Sequence, residues 1–165
     1  MSTDTVGQQM NDMGTAGAVA RPPLLFLGAL LLGFALDHLL SLPFPLPRTD
    51  LHRIIAGCLI LIGIAVFAAS IRNFSTAATP VQGTKPTRVL VTTGIHGWSR
   101  NPIYLGMFLV YGGIGVAVRS PSILVLALPL AIVIRCGVVA REETYLERRF
   151  GDTYRNYKAR VRRWV

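Results

Sequence analysis

Two short polar clusters carry the side chains that could do chemistry in this chain. The first is Arg100-Asn101-Pro102, followed by Tyr104 and Gly106; the second is Arg141-Glu142-Glu143. A guanidinium presents a planar fork of donors to a carboxylate or phosphate, and a carboxylate accepts charge-assisted bonds from cations and hydroxyls. Adjacent helical residues point about 100° apart, so Glu142 and Glu143 cannot both face one atom. One is free to meet a ligand while the other pairs with Arg100 or Arg141. No nucleophile–base–acid set and no His/Cys/Asp/Glu set at metal-ligand spacing accompanies them, so no metal is expected. Such residues suit the binding and alignment of a charged small molecule, and alignment alone supplies up to about 7–11 kcal/mol of barrier lowering in well-oriented systems. Near the first cluster, Gly94 permits positive φ or close approach, and residues 91–96, Val91 included, offer backbone contacts. Pro102 suits a first helical turn and keeps Asn101 out of the α region. His96 is the histidine nearest the clusters, a candidate base if the reaction must remove a proton. Each feature has a plainer explanation: the helix dipole favours an acidic pair near an N-terminus, and Arg100 alone reads as a membrane-border anchor.

The elements that must position these clusters are apolar. Of 165 residues, 52% are hydrophobic and only 15% charged, with mean hydropathy +0.48; soluble domains carry about 25% charged residues. The apolar residues fall in four blocks, 24–40, 51–71, 102–118 and 122–140. A spanning helix needs about 17–25 such residues, and in lipid the backbone must bond within its own segment. The fold class is therefore an all-α integral membrane protein with about four transmembrane helices, and a soluble helical bundle is set aside. Only Arg119-Ser120-Pro121 separates the last two blocks, which dictates an antiparallel hairpin. A hairpin returns to the face it left, so the two polar clusters should lie together at one depth.

After the hairpin, Leu146, Phe150, Tyr154, Tyr157 and Val161 recur at helical spacing among Arg148, Arg149, Arg155, Lys158 and Arg162. This predicts a C-terminal amphipathic interfacial helix over 142–161, interrupted at Gly151, with Trp164 suited to the aromatic belt. The domain reading is a disordered polar tail over 1–22, a four-span membrane domain over 23–141 with a cytoplasmic loop at 72–101, and a C-terminal cytoplasmic amphipathic helix over 142–165 that completes the site formed by the two polar clusters. The tail over 1–22 lacks a basic leader region and does not read as a cleavable signal. Asp50 is the expected cap of the second helix. Asp37 and His38 sit within a turn of a proline-rich stretch and read as border residues. Gly112, Gly113 and Gly115 read as packing positions, Gly106 as part of the site. Cys58 and Cys136 read as reduced, packed thiols.

The net charge of +9 invites a nucleic-acid partner, but its placement excludes one. With the N-terminus inside, thirteen basic residues fall on cytoplasmic segments and three, Arg48, Arg53 and Arg119, on outer loops, with Arg135 left within a span. That asymmetry is the positive-inside pattern. It predicts both termini in the cytoplasm, at the inner or plasma membrane if the source is bacterial, and membrane lipids as partners.

The ordered set Leu90-Val91-Thr92-Thr93-Gly94, Arg100-Asn101-Pro102 with Tyr104 and Gly106, Glu142-Glu143 with Leu146, Phe150-Gly151 with Tyr154 and Tyr157, and Val161 with Trp164 resembles the isoprenylcysteine carboxyl methyltransferase family and the related phospholipid N-methyltransferases. The likeness covers about the C-terminal half. It implies an integral-membrane methyltransferase that uses S-adenosylmethionine. Val91, Gly94, His96, Asn101, Tyr104, Glu142 and Glu143 would then hold the cofactor, and Arg100 and Glu143 would serve catalysis. The acceptor implied is lipophilic, a prenylated or lipid-like carboxylate or a phospholipid amine. Two positions depart from the commonest pattern: Asn101 stands where histidine is frequent, and His96 where an aromatic is usual. The alternatives are an NADPH-dependent membrane reductase of related architecture and a non-enzymatic membrane scaffold or lipid-binding protein.

The charge asymmetry generates a topological prediction. In a variant lacking Cys58 and Cys136, a cysteine at position 85 is expected to resist a membrane-impermeant thiol reagent in intact cells and to react after permeabilisation. Labelling before permeabilisation would refute the orientation.

Overall fold

The computed structural model describes residues 21–44, 49–81 and 87–165. Residues 1–20 of the tail expected over 1–22, residues 45–48 with Arg48 of the outer loop, and residues 82–86 of the long loop lie outside the described residues, and Pro22 belongs to a helix. Among those described, the secondary structure is helical throughout. Helix α1 is Pro22–Leu40, α2 is Asp50–Thr76, α3 is Pro102–Ala117 and α4 is Pro121–Val133. A π-helical segment, Ile134–Val139, joins α4 to α5, Ala140–Phe150, and α6 follows as Asp152–Arg160. A single 3-10 turn, Gly94–Gly97, precedes the first polar cluster.

Three helices are long and apolar enough to cross a membrane: Pro22–Leu40, Asp50–Thr76 and the continuous Pro121–Phe150. The fourth apolar helix, α3, has 16 residues and covers about 24 Å at 1.5 Å per residue. A shortfall of that size against a hydrocarbon core of about 30 Å is met by local thinning or flanking residues at modest cost. Outward sides of these helices carry Leu31, Leu61, Ile62 and Leu128 fully in the open, as lipid contact requires. The chain therefore forms an integral-membrane bundle.

The helices pair as α2 with α3 and α1 with α4. Glycine sets the first pairing. A methyl group at Gly106 would lie 2.7 Å from the Gly63 carbonyl oxygen and 2.9 Å from the Phe67 nitrogen, and one at Gly63 would meet Gly106 in turn. Two backbones can approach this closely only without side chains between them. Gly106, expected as a site residue, is thus a packing residue like Gly113 and Gly115. Gly33 against Ile123 does the same for the second pair. The core between the pairs is built on Phe26, Tyr111, Ile123, Ile134 and Val138.

Several local expectations are corrected. The N-cap of α2 is Thr49, whose N–H donates to His52 Nδ1 at 3.1 Å; Asp50 is the first helical residue. Helix α2 runs five residues past the end of its apolar block, to Thr76. The tail helix does not start afresh at residue 142 but continues the last span without a break. Cys58 and Cys136 are unpaired as expected but exposed, so neither packs in the core. Asp37 Oδ1 accepts the Ser122 N–H at 3.2 Å, tying α1 to the start of α4.

The glycine contact gives a prediction of opposite signs. Gly106→Ala should lower stability by about 1–3 kcal/mol, because the atoms it strikes are backbone. Gly112→Ala, with nothing within 4 Å, should be neutral or raise it by about 0.5–1 kcal/mol. Unfolding midpoints in detergent would measure both, and equal effects would refute the packing role.

Candidate functional site

The two polar clusters meet at one end of the bundle. Pro102 starts α3, and the residue before it, Asn101, is held at φ −131° and ψ 51°, outside the helix. The turn it caps is tied to residues 162 and 163 of the chain's last segment. The Arg100 N–H donates to the Arg162 carbonyl at 3.0 Å, and Asn101 Nδ2 and Ser99 Oγ donate to the Arg163 carbonyl at 3.0 and 3.3 Å. With its backbone fixed this way, Arg100 extends toward α5 and pairs with Glu143, Nη2 to Oε1, at 3.3 Å. The Arg163 side chain grips the same carboxylate with two bonds, Nε to Oε1 at 3.0 Å and Nη2 to Oε2 at 2.7 Å. Glu143 therefore sits between two guanidinium groups.

Glu142 points elsewhere, as the 100° step between neighbours demands. Its Oε1 accepts the Tyr104 hydroxyl at 2.8 Å, and its Oε2 is buried with no protein partner. Arg100 Nε and Nη1 are likewise buried without protein partners. Leaving such groups unsatisfied costs about 1–3 kcal/mol each, more when charged. All three atoms belong to residues that line one cavity, walled further by Leu90, Val91, His96, Asn101, Tyr154 and Tyr157. The cavity is about 10 Å³, the space for a single water. A ligand larger than water requires its walls to move apart.

The loop wall has its own supports. Gly94 has φ +58°, and a Cβ there would lie 2.5 Å from Asn73 Nδ2; that amide donates instead to the Thr93 carbonyl at 2.8 Å. The His96 ring is buried edge-on to Phe74, 4.9 Å between centroids, with Nε2 3.3 Å from Ser70 Oγ and Nδ1 3.4 Å from Asn73 Nδ2. The amide is a donor, so Nδ1 accepts and Nε2 carries the proton. Burial lowers the His96 pKa to about 4, and both nitrogens are engaged within the fold. The His96 carbonyl accepts the Tyr157 hydroxyl at 2.6 Å, which joins the loop to α6. Burial pushes the Tyr154 phenol up to about 12, with the Glu143 charge adding to the rise and Arg100 opposing it. Burial raises Tyr157 as well. Both stay protonated donors at neutral pH.

Of the residues singled out from sequence, Val91, His96, Arg100, Asn101, Glu142 and Glu143 line the cavity. Tyr104 reaches it through Glu142, and Gly94 stands one step back, against Asn73. Sequence reasoning passed over Arg163, Asn73 and Ser70. The stripe read at Leu146, Tyr154 and Tyr157 packs against Leu90 and Val161. Leu90, Leu146, Tyr154 and Tyr157 stood within the quoted motif, so a signal was present. Arg163, twenty residues from its partner in a run of arginines, offered none.

An all-helical membrane bundle with opposed guanidinium and carboxylate groups at its border defines the class of protein. The chain belongs to the phospholipid methyltransferase family, whose profile matches residues 51–153. It is a membrane protein of a methyltransferase family. An uncharacterized protein of Haemophilus influenzae is 62% identical over 34 residues, 21% of this chain and 54% of that protein. The chain thus spans about half the length of that curated relative. No solved structure matches it.

The His96 environment fixes a pH dependence. In the unfolded chain the imidazole protonates near its ordinary value of 6.5; in the fold it resists until about 4. The contribution of this group to stability is therefore full above pH 6.5, falls as the pH drops from 6.5 to 4, and levels off below. Thermal melting of the wild type against His96→Gln in detergent is expected to show the wild type losing its advantage across that window. A pH-independent difference would refute the buried neutral ring.

Proposed function

We propose that the protein is an S-adenosylmethionine-dependent methyltransferase that acts on a lipophilic acceptor at the cytoplasmic border of the membrane. The observation that carries this reading is the pairing of unsatisfied groups on one cavity: Arg100 Nε and Nη1 as cationic donors, Glu142 Oε2 as an anionic acceptor. That set complements a zwitterion. The cofactor's amino-acid end is one, with its carboxylate suited to Arg100 and its ammonium to Glu142. Its ribose hydroxyls are a second partner for Glu142. The donor set therefore fits the cofactor that the family uses.

The bound cofactor supplies a methyl group already activated on a sulfonium. What remains for the chain is to bind, orient and exclude water. Tyr104 holds Glu142 in place by donating to Oε1 and so reserves Oε2 for the ligand. Asn101, anchored through its side chain to the Arg163 carbonyl, keeps Arg100 at the mouth of α3. Tyr154 and Tyr157 of α6, with Leu90 and Val91 of the loop, form the remaining wall. Glu143, with both oxygens taken by arginines, positions Arg100 and is not itself a ligand in this reading. His96, neutral and engaged on both sides, positions the loop and is not a base. The reaction so read needs no base from the chain when the acceptor is a carboxylate, which is deprotonated at neutral pH. An ammonium acceptor would have to lose its proton elsewhere.

With both termini and the cavity in the cytoplasm, the cofactor enters from water and the acceptor from the bilayer. An acyl or prenyl chain leaves lipid for protein with little gain, since both are apolar. The lipid environment thus contributes local concentration and orientation more than affinity.

Calorimetry in detergent tests the assignment. S-adenosylhomocysteine is expected to bind, and Glu142→Gln and Arg100→Gln each to weaken it by about 1.5–3 kcal/mol, the worth of a hydrogen bond to a charged group. Binding of NADPH in its place, or full affinity in both variants, would refute the reading.

A further inference from the structure

The arrangement around Glu143 assigns a role to Arg163, a residue outside the family-matched range 51–153. A carboxylate and a guanidinium in contact tend toward the two-point fork, in which two parallel N–H groups meet two oxygens. Arg100 and Glu143 are in contact but do not form it. Arg100 reaches Glu143 with Nη2 alone, at 3.3 Å to Oε1. Arg163 has taken the fork instead, at 3.0 and 2.7 Å. The second oxygen, Oε2, is held by the shorter of those bonds. Arg100 is thereby left with Nε and Nη1 unpartnered beside the cavity.

We propose that Arg163 is a positioning residue for ligand binding: by occupying Glu143 with both donors, it prevents Glu143 from taking Arg100 in a two-point pair and so keeps Arg100 available to an anionic ligand group. The proposal rests on the reading of the cavity as the cofactor's pocket. The chain 161–165 serves the role with its backbone too, since the carbonyls of Arg162 and Arg163 hold the Arg100 N–H and the Asn101 side chain. Trp164 packs edge-on to Phe108 of α3, 6.3 Å between centroids, which fixes the segment against the bundle. The hydrogen bond to Glu143 raises the Arg163 pKa further, so its charge is permanent.

If Arg163 is lost, Glu143 has a free oxygen beside Arg100. The guanidinium can turn to satisfy it, and Nη1 or Nε leaves the cavity. The consequence is specific to the carboxylate end of the ligand.

The experiment is calorimetry in detergent with two probes, S-adenosylhomocysteine and methylthioadenosine, which lacks the amino-acid end. Arg163→Gln should weaken S-adenosylhomocysteine by about tenfold, on the scale of one hydrogen bond to a charged group, and leave methylthioadenosine unchanged. Arg163→Lys, which keeps the charge but not the fork, should fall between. Equal losses for both probes would overturn the proposal and mark Arg163 as a general structural contact. Should the wild type bind neither probe, the proposed function fails and this role with it. Should it bind both without the split, only the role of Arg163 fails.

Discussion

The site depends on one carboxylate shared by two guanidinium groups. Glu143 stands on the continuation of the last span, Arg100 on the turn that opens α3, and Arg163 on the segment after α6. Glu143 and Arg100 are largely enclosed, with side chains 9% exposed each. Charges in such a place are costly unless each is answered, and breaking a buried pair by removing one partner costs about 3–5 kcal/mol. Here two cations meet Glu143, so its charge is answered on both oxygens. Directional capacity is left over, three unpartnered polar atoms on residues that line one small cavity.

Helix geometry places this group at the membrane border. The run Pro121–Phe150 is one helix of 30 residues, apolar in its first two thirds and charged at its end, so the lipid-facing part and the cavity wall belong to one continuous helix. The π-helical turns Ile134–Val139 change the phase between the two parts. Residues seven apart in an α-helix fall near the same side, about 20° off. The wider turns move them out of line, so Arg135 is exposed while Glu142, seven residues on, is buried. At Gly151, φ +51° breaks the helix and turns α6 back. Tyr154 and Tyr157 then pack under the loop instead of lying along the membrane surface. A residue with a side chain would be strained at that φ, so the wall they form depends on this glycine.

Much of this was legible in the sequence because it rests on pattern. Block length and low charge specified a membrane bundle. A three-residue link specified a hairpin, and the hairpin brought Arg100 to Glu142 and Glu143. Other parts rest on contacts between segments distant in the chain. Spacing could not show that Gly106 faces Gly63, or that the His96 ring is engaged by Ser70 and Asn73. The stripe from Leu146 to Val161 was correctly periodic, but periodicity does not say what covers a face. An apolar stripe beside a membrane suggests lipid, and here the loop residue Leu90 covers it. Arg163 was hidden for a related reason: in a basic tail every arginine looks like an anchor.

The two adjacent glutamates show how one backbone step divides labour. They share a helix, a charge and a border, yet the 100° rotation between them gives each a different neighbour set. Glu143 meets only cations and becomes a fixed electrostatic post. Glu142 meets a neutral phenol, Tyr104, which satisfies one oxygen without neutralising the charge. A second cation there would have cancelled its attraction for a ligand's ammonium. An apolar neighbour would have left a buried carboxylate with no bond at all. A hydroxyl that donates one bond fixes the carboxyl group's orientation and leaves Oε2 open on the cavity that Arg100 also lines.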